Sequence, residues 1–200
     1  MKEIIYGTTN PAKVSQIKSV LEPLGFEVKS LADFDITISV EEDGKTAEEN
    51  ARKKSIEYAK ALNAKVLSMD AALYFNDLSE EQQPGLHVRR INKVERASDD
   101  ELLSHYTSLA KKMGEKIDAY WRYAFALSQP DGECVSTHFD TPRTFVSVPS
   151  STVIEGYPLE SIQIDPATGK YISEMSKDET AAFWKESIGR QLEEFVSKNY

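Results

Sequence analysis

The sequence predicts an α/β protein built on an open sheet, and three observations carry that reading. Near the N-terminus, short apolar runs alternate with segments of helical period. Each of the helices so marked opens on a strong capping signal. Polar loops stand where the strands should end, as in open α/β sheets. The 200 residues suit one domain, or two closely joined lobes, with ample length for a hydrophobic core. With 40% hydrophobic and 28% charged residues the composition is globular, not disordered.

The first strand is the apolar run over residues 3–7, which breaks at Gly7-Thr8-Thr9-Asn10. Asn10 is a good N-cap, and Pro11 is favoured at the first helical position because its missing N–H is not needed there. Val14, Ile17, Val20, Leu21 and Leu24 then recur at helical spacing until Gly25 closes the helix. Residues 26–31 read as a second strand. After the acidic loop Glu41-Glu42-Asp43-Gly44, Thr46 and Glu49 form a capping box that opens a second helix. Ala47, Ala51, Ala59 and Leu62 supply its buried stripe, while Lys53, Lys54 and Lys60 are its charged positions. Residues 66–69 form a short buried strand that is expected to stop at Asp70.

Further on, residues 73–75 are apolar and Pro84-Gly85 marks a turn. A helix is predicted over residues 99–113, with Leu102, Leu103, Tyr106 and Leu109 on one side. Two strands follow, 119–127 and 133–139, joined by Gln129-Pro130-Asp131-Gly132, a hairpin signal. A separate strand is predicted over 144–148. Ser176 and Glu179 form another capping box, opening a C-terminal helix with Ala181, Trp184, Ile188 and Phe195 near one face.

The formal charge of −9 argues against binding long nucleic acids, which need clustered Lys and Arg. A small anionic ligand is compatible with it, because a local basic pocket can sit in an acidic protein. The single cysteine, Cys134, cannot make an internal disulfide or a zinc cluster, which points to a reducing, cytoplasmic setting. No apolar run reaches the ~18 residues of a membrane span, and MKEIIYGTTN has no signal-peptide core.

Chemistry concentrates in two places. The turn from Gly7 to Lys13 feeds a helix N-terminus through Thr8, Thr9 and Asn10, offering free N–H groups and hydroxyls to an anion, with Lys13 one turn in. It lacks the glycine spacing of a P-loop or dinucleotide-binding turn, so a capped helix with a solvated lysine stands as the other reading. Glu42, Glu49 and Asp70 fall at or near element ends. An Asp at a strand end is placed to hold a metal or deprotonate water, and Mg²⁺ takes only one or two protein oxygens when it also binds phosphates. Glu49 already serves its capping box. His87, His105 and His138 are scattered, and neither a Ser nor a Cys triad finds support.

The run Thr8-Thr9-Asn10-Pro11-Ala12-Lys13 resembles the T-x-N-x-x-K signature of the inosine triphosphate pyrophosphatase family, which acts on non-standard purine nucleotides. Glu42, Thr46, Glu49-Asn50-Ala51, Lys54, Asp70 and Pro84-Gly85 follow in family order. Residues 125–132 are similar to the family's central hairpin. The resemblance implies a two-lobed α/β fold around a long mixed sheet flanked by helices, with the active site in a cleft between the lobes, usually as a homodimer. It implies Mg²⁺-dependent hydrolysis of a nucleoside triphosphate to the monophosphate and pyrophosphate. Carried over, Thr8, Thr9, Asn10, Lys13, Asn50 and Lys54 would bind the substrate. Glu42 and Asp70 would hold metal, and Asp70 would act with Lys13 and Lys54 in catalysis.

The departures from the family pattern are equally definite. Met69-Asp70-Ala71-Ala72 replaces two adjacent acids and Ser-Gly. The base-pocket segment G-F-G-Y-D-P is reduced to Gly156-Tyr157-Pro158, and the later lysine and Ser-His-Arg triplet give way to residues 180–186, with Lys185 or Arg190 as partial substitutes. Phe183 and Trp184 read as core aromatics, with stacking on a base as the other role. An altered base specificity is therefore expected. A weak or inactive relative that binds a phosphorylated ligand or a protein is the alternative.

Overall fold

The computed structural model describes residues 2–34, 38–91 and 94–200. Its strands form one six-stranded mixed sheet in the order β2-β1-β3-β4-β5-β6. The chain divides into two compact units: Met1–Ala71, Tyr123–Phe139 and Ala181–Tyr200 in one, Ala72–Arg122 and Asp140–Thr180 in the other.

In the first unit, β1 (Lys2–Tyr6) runs parallel to β2 (Phe26–Ser30) and to β3 (Val66–Phe75), with Ile4 opposite Val28 and Ile5 opposite Val66. Helix α1 (Pro11–Leu21) connects β1 to β2, and Asn10 caps it by accepting the Ala12 and Lys13 N–H groups. A 3₁₀ turn, Glu22–Leu24, then carries the chain to Gly25, which takes φ of 85°, a value that favours glycine. That turn ends α1 early and leaves Leu24 37% exposed, so Leu24 is not part of the buried stripe. Helix α2 (Ala47–Leu62) lies over a cluster of Ile5, Leu31, Tyr58, Ala59 and Val66.

The second unit holds α3 (Asp99–Lys112), whose Ser98–Glu101 capping box forms with both halves present. Leu102, Tyr106 and Ala110 face the strands, packing with Leu73, Phe75, Ile117 and Phe145. Phe75 meets Phe145 edge-on at 5.0 Å and lies nearly parallel to Tyr106 at 5.8 Å. Each such buried side chain contributes about 1.5–3 kcal/mol.

Three strand predictions are corrected. β3 does not stop at Asp70 but continues to Phe75, because Leu73 pairs back across an antiparallel bridge to Gly85 at the Pro84-Gly85 turn. β4 spans Lys116–Ser128, longer than the apolar run suggested. β5 runs unbroken over Cys134–Val146, merging two predicted strands; Thr141, Arg143 and Phe145 are buried while Asp140 and Pro142 are exposed, a period-2 pattern. β5 then pairs antiparallel with the short β6 (Gln163–Ile164).

The C-terminal helix is also corrected. Ser176 and Glu179 do cap α4 (Lys177–Trp184), but a π-turn over Lys185–Gly189 precedes α5 (Arg190–Asn199). The wider π-turn shifts the later residues around the axis. The buried face is therefore Phe183, Ile188, Leu192 and Val196, while Ala181, Trp184 and Phe195 are only half-buried.

Candidate functional site

The site is built within the first unit, from the α1 N-terminus, the face of α2 toward β3, and the loop before α2. Thr8 Oγ1 accepts the Asn10 N–H at 3.1 Å, and Asn10 Oδ1 accepts those of Ala12 and Lys13 at 2.9 and 3.4 Å. The turn is thus held by its own side chains, while Thr9 is exposed. The β1 strand can enter this turn closely only because residue 7 is glycine. A Cβ there would stand 2.2 Å from Ser68 Oγ and 3.0 Å from the Tyr58 ring.

On α2, Asn50, Lys54 and Tyr58 recur every four residues and so share one face, and all three are buried. Lys54 Nζ donates to Glu42 Oε2 at 2.8 Å and to Asp70 Oδ1 at 3.4 Å. Asn50 Nδ2 donates to Asp70 Oδ2 at 2.9 Å, and Asn50 Oδ1 accepts the Gly44 N–H at 2.8 Å. Asn50 therefore has a structural task in the site, fixing Asp70 on one side and the acidic loop on the other. Gly44 needs its small size, since a Cβ would come within 2.6 Å of that amide oxygen.

Burial pushes the Asp70 carboxyl above the ordinary carboxylate range, against the pull of Lys54 and of the Asn50 hydrogen bond. Burial likewise lowers the Lys13 ammonium, and the nearby Lys54 charge lowers it further. The charges of Asp70 and Glu42 act on Lys13 in the opposite sense. Two ammonium groups and two carboxylates thus feel one another in one place.

Asp70 lies inside a strand, not beyond its end as expected, and reaches α2 because successive side chains alternate faces. The same alternation sends Met69 to the other face, where it is 5% exposed. Glu49 stands apart from this group. Thr46 Oγ1 accepts its N–H at 3.1 Å, while its carboxylate accepts the Lys45 N–H at 2.7 Å, one residue before the expected partner Thr46. Lys185 and Arg190 are exposed, and Arg190 pairs with Glu194. Trp184 meets Tyr123 edge-on at 5.6 Å and Phe183 at 5.2 Å, so both predicted aromatics pack in an aromatic cluster.

Reading the sequence missed Tyr58 and Ser68 as neighbours of the site, and gave Gly44 no role in it. The 50/54/58 spacing was the available signal for Tyr58. Nothing local marks Ser68, a fully buried residue whose hydroxyl makes no hydrogen bond.

Glu42 and Asp70 are hard oxygen donors gathered on one ammonium, and they fit a divalent ion that takes its remaining ligands from water and phosphate. An all-protein cage does not fit: among the described residues no three His, Cys, Asp or Glu side chains lie together as a metal site. Among the same residues no helix is long and apolar enough to cross a membrane.

Lys54 facing two carboxylates beside a capped helix N-terminus is an arrangement of the kind that binds phosphates and cations. The chain belongs to the Ham1 family, whose model matches residues 4–185. It is 34% identical over 182 residues to a protein of Bacillus subtilis named dITP/XTP pyrophosphatase, covering 90% of this chain and 88% of the relative. A relative of the same name from Exiguobacterium sp. is 29% identical over 181 residues, covering 90% and 88%. The Ham1 protein of Staphylococcus aureus shares the fold at a TM-score of 0.73 with 24% identity, both chains fully covered. That of Coxiella burnetii shares it at 0.76 with 20% identity, covering 99% and 100%.

Proposed function

We propose that this protein hydrolyses a nucleoside triphosphate to the monophosphate and pyrophosphate, with Mg²⁺ as cofactor. The observation that carries the reading is Lys54 between Glu42 and Asp70, with Lys13 close enough to feel all three. Family membership and the relatives named dITP/XTP pyrophosphatase support it. In this reading the hydroxyls of Thr8 and Thr9, together with Lys13 and Lys54, take the phosphate oxygens, the N–H groups of Asn10, Ala12 and Lys13 being used within the turn itself. Asn10 holds the helix N-terminus beside them, and Asn50 orients Asp70. Glu42 and Asp70 hold the ion, which when bound neutralises charge on the phosphates and polarises the phosphoryl group.

Asp70 suits a second task, accepting the proton of the attacking water. Burial raises its carboxyl above the ordinary carboxylate range, in the direction that favours accepting a proton. Water attack breaks one phosphoanhydride bond, pyrophosphate leaves, and the proton passes through Asp70 to solvent. Positioning and charge neutralisation supply most of the rate in such reactions.

The base specificity is proposed to differ from that of relatives keeping the Ser-His-Arg triplet, since residues 180–186 offer a packed Phe183 and Trp184 instead. The reading extends to a single two-lobed domain, a cytoplasmic setting and a homodimer, the last measured by light scattering. The deciding experiment is pyrophosphate release from a panel of standard and non-standard nucleoside triphosphates, with Mg²⁺ and with chelator. Release from at least one, abolished by chelator, is expected. No release from any nucleotide would overturn the reading.

A further inference from the structure

Burying a lysine is costly unless its charge is matched, and Lys54 is matched twice. Its side chain is 8% exposed, against 14% for Asp70 and 47% for Glu42. The ammonium is tight on the exposed carboxylate at 2.8 Å and loose on the buried one at 3.4 Å. Charge-assisted bonds of this kind settle at about 2.7–2.9 Å, so the contact with Asp70 is the weaker one. Asp70 Oδ2 is engaged by Asn50, and Oδ1 faces the ammonium. The oxygens that a divalent ion would use are therefore already directed at a cation of the protein itself.

Charge counting leads to the same place. Lys13 and Lys54 carry two positive charges, and Glu42 and Asp70 two negative ones. A free divalent ion meets a locally neutral site and an ammonium standing at its ligands. A polyphosphate changes this, because it gives the ammonium a new partner and so frees the carboxylates. The four-carbon stem of lysine can pivot without moving α2, whereas the planar fork of arginine would be fixed.

We propose that Lys54 is a built-in counter-ion that keeps free divalent cations off Glu42 and Asp70, so that the ion is admitted together with a polyphosphate. The inference rests on the metal assignment made under the proposed function. Lys54 thereby sets the order of binding: metal alone binds poorly, and the metal–polyphosphate unit exchanges both ion pairs at once.

The test uses Mn²⁺ alone, without nucleotide, titrated onto the full-length protein and followed by electron paramagnetic resonance. Lys54→Met and Lys54→Gln are compared with the unmodified chain, each checked for folding by circular dichroism. The second variant keeps a polar group should the first fail to fold. Removing a like charge a few ångströms from a divalent ion is expected to tighten Mn²⁺ binding by about tenfold or more. Adding Asp70→Asn to either variant should remove the gain. Folded variants that bind Mn²⁺ no tighter than the unmodified chain, or a gain that survives Asp70→Asn, would overturn the proposal.

Pyrophosphate release by the unmodified chain is scored separately. Release without any gain in the variants sinks the counter-ion role alone. A gain without release from any nucleotide supports that role and sinks the enzymatic reading.

Discussion

Gly7→Ala is the substitution whose outcome the packing around the site decides most clearly. The backbone at Gly7 lies outside the left-handed region, so alanine is conformationally acceptable there. On chain entropy alone the change would stabilise by about 0.4–1 kcal/mol. The new Cβ, however, would stand 2.2 Å from Ser68 Oγ, 3.0 Å from Tyr58 Cδ2 and 3.2 Å from Val66 Cγ1. Overpacking of this kind costs about 1–3 kcal/mol, which outweighs the entropic gain. A net loss of about 1–2 kcal/mol follows, lowering the Tm by ~2–8 °C for a chain of this length. Ser68→Ala should do the opposite, since its fully buried hydroxyl makes no hydrogen bond and removing it relieves about 1 kcal/mol or more. The double variant should recover part of the Gly7→Ala loss, though not the part owed to Tyr58 and Val66. Urea melts of the four proteins form a double-mutant cycle. Additive effects, or a Gly7→Ala protein as stable as the parent, would refute this account of why β1 enters the turn through glycine.

Other consequences can be measured alongside. Asp70→Asn should lower kcat by about 10²–10⁴-fold in steady-state assays while the circular dichroism spectrum stays unchanged; unaltered turnover would remove Asp70 from the reaction. Lys13→Ala should raise KM for the triphosphate more than it lowers kcat, as expected for a phosphate-binding group. Tyr106→Phe should cost about 1 kcal/mol in urea melts, because the buried hydroxyl donates to Val88 O at 3.0 Å. The Lys170 ammonium, with the Ser176 N–H and hydroxyl, holds the Glu179 carboxyl down to about 2, from an ordinary 4.5. A depressed carboxylate contributes stability above its unfolded pKa and loses it as pH falls through the folded one. Glu179→Gln should therefore melt below the parent at pH 6, with the gap closing between pH 4.5 and about 2.

The fold was most legible where local chemistry and global pattern agreed. Asn10-Pro11 and Thr46 announced α1 and α2 because capping is a local matter settled by side chains within a turn. β3 was misread for the same reason in reverse. Asp70 interrupts the apolar run, yet its strand continues because Leu73 finds a partner at Gly85, a contact that no local pattern announces. Pro142 and Arg143 hid the length of β5 similarly, although Pro142 is exposed and Arg143 buried in regular alternation. The π-turn at Lys185–Gly189 had no sequence signature at all, and with it went the expected face of the last helix.

The site divides along another line. Residue types pointed to Lys13, Glu42 and Asp70, the family resemblance added Asn50 and Lys54, and the fold links Glu42, Asn50, Lys54 and Asp70 in one hydrogen-bonded group. What spacing cannot convey is which charged residue is buried. Lys53 and Lys54 are neighbours of identical chemistry; one pairs with Asp43 at the surface and the other lies inside between two carboxylates. The helix period decides this, since Lys54 shares its face with Asn50 and Tyr58 whereas Lys53 is rotated a quarter-turn or so away. Strand alternation also bears on Met69, which stands where the family pattern has a second acid. A carboxylate at position 69 would project to the face opposite Asp70, where Met69 is already buried. The methionine therefore costs this face of the strand no ligand, and the proposed metal site draws on Asp70 and Glu42.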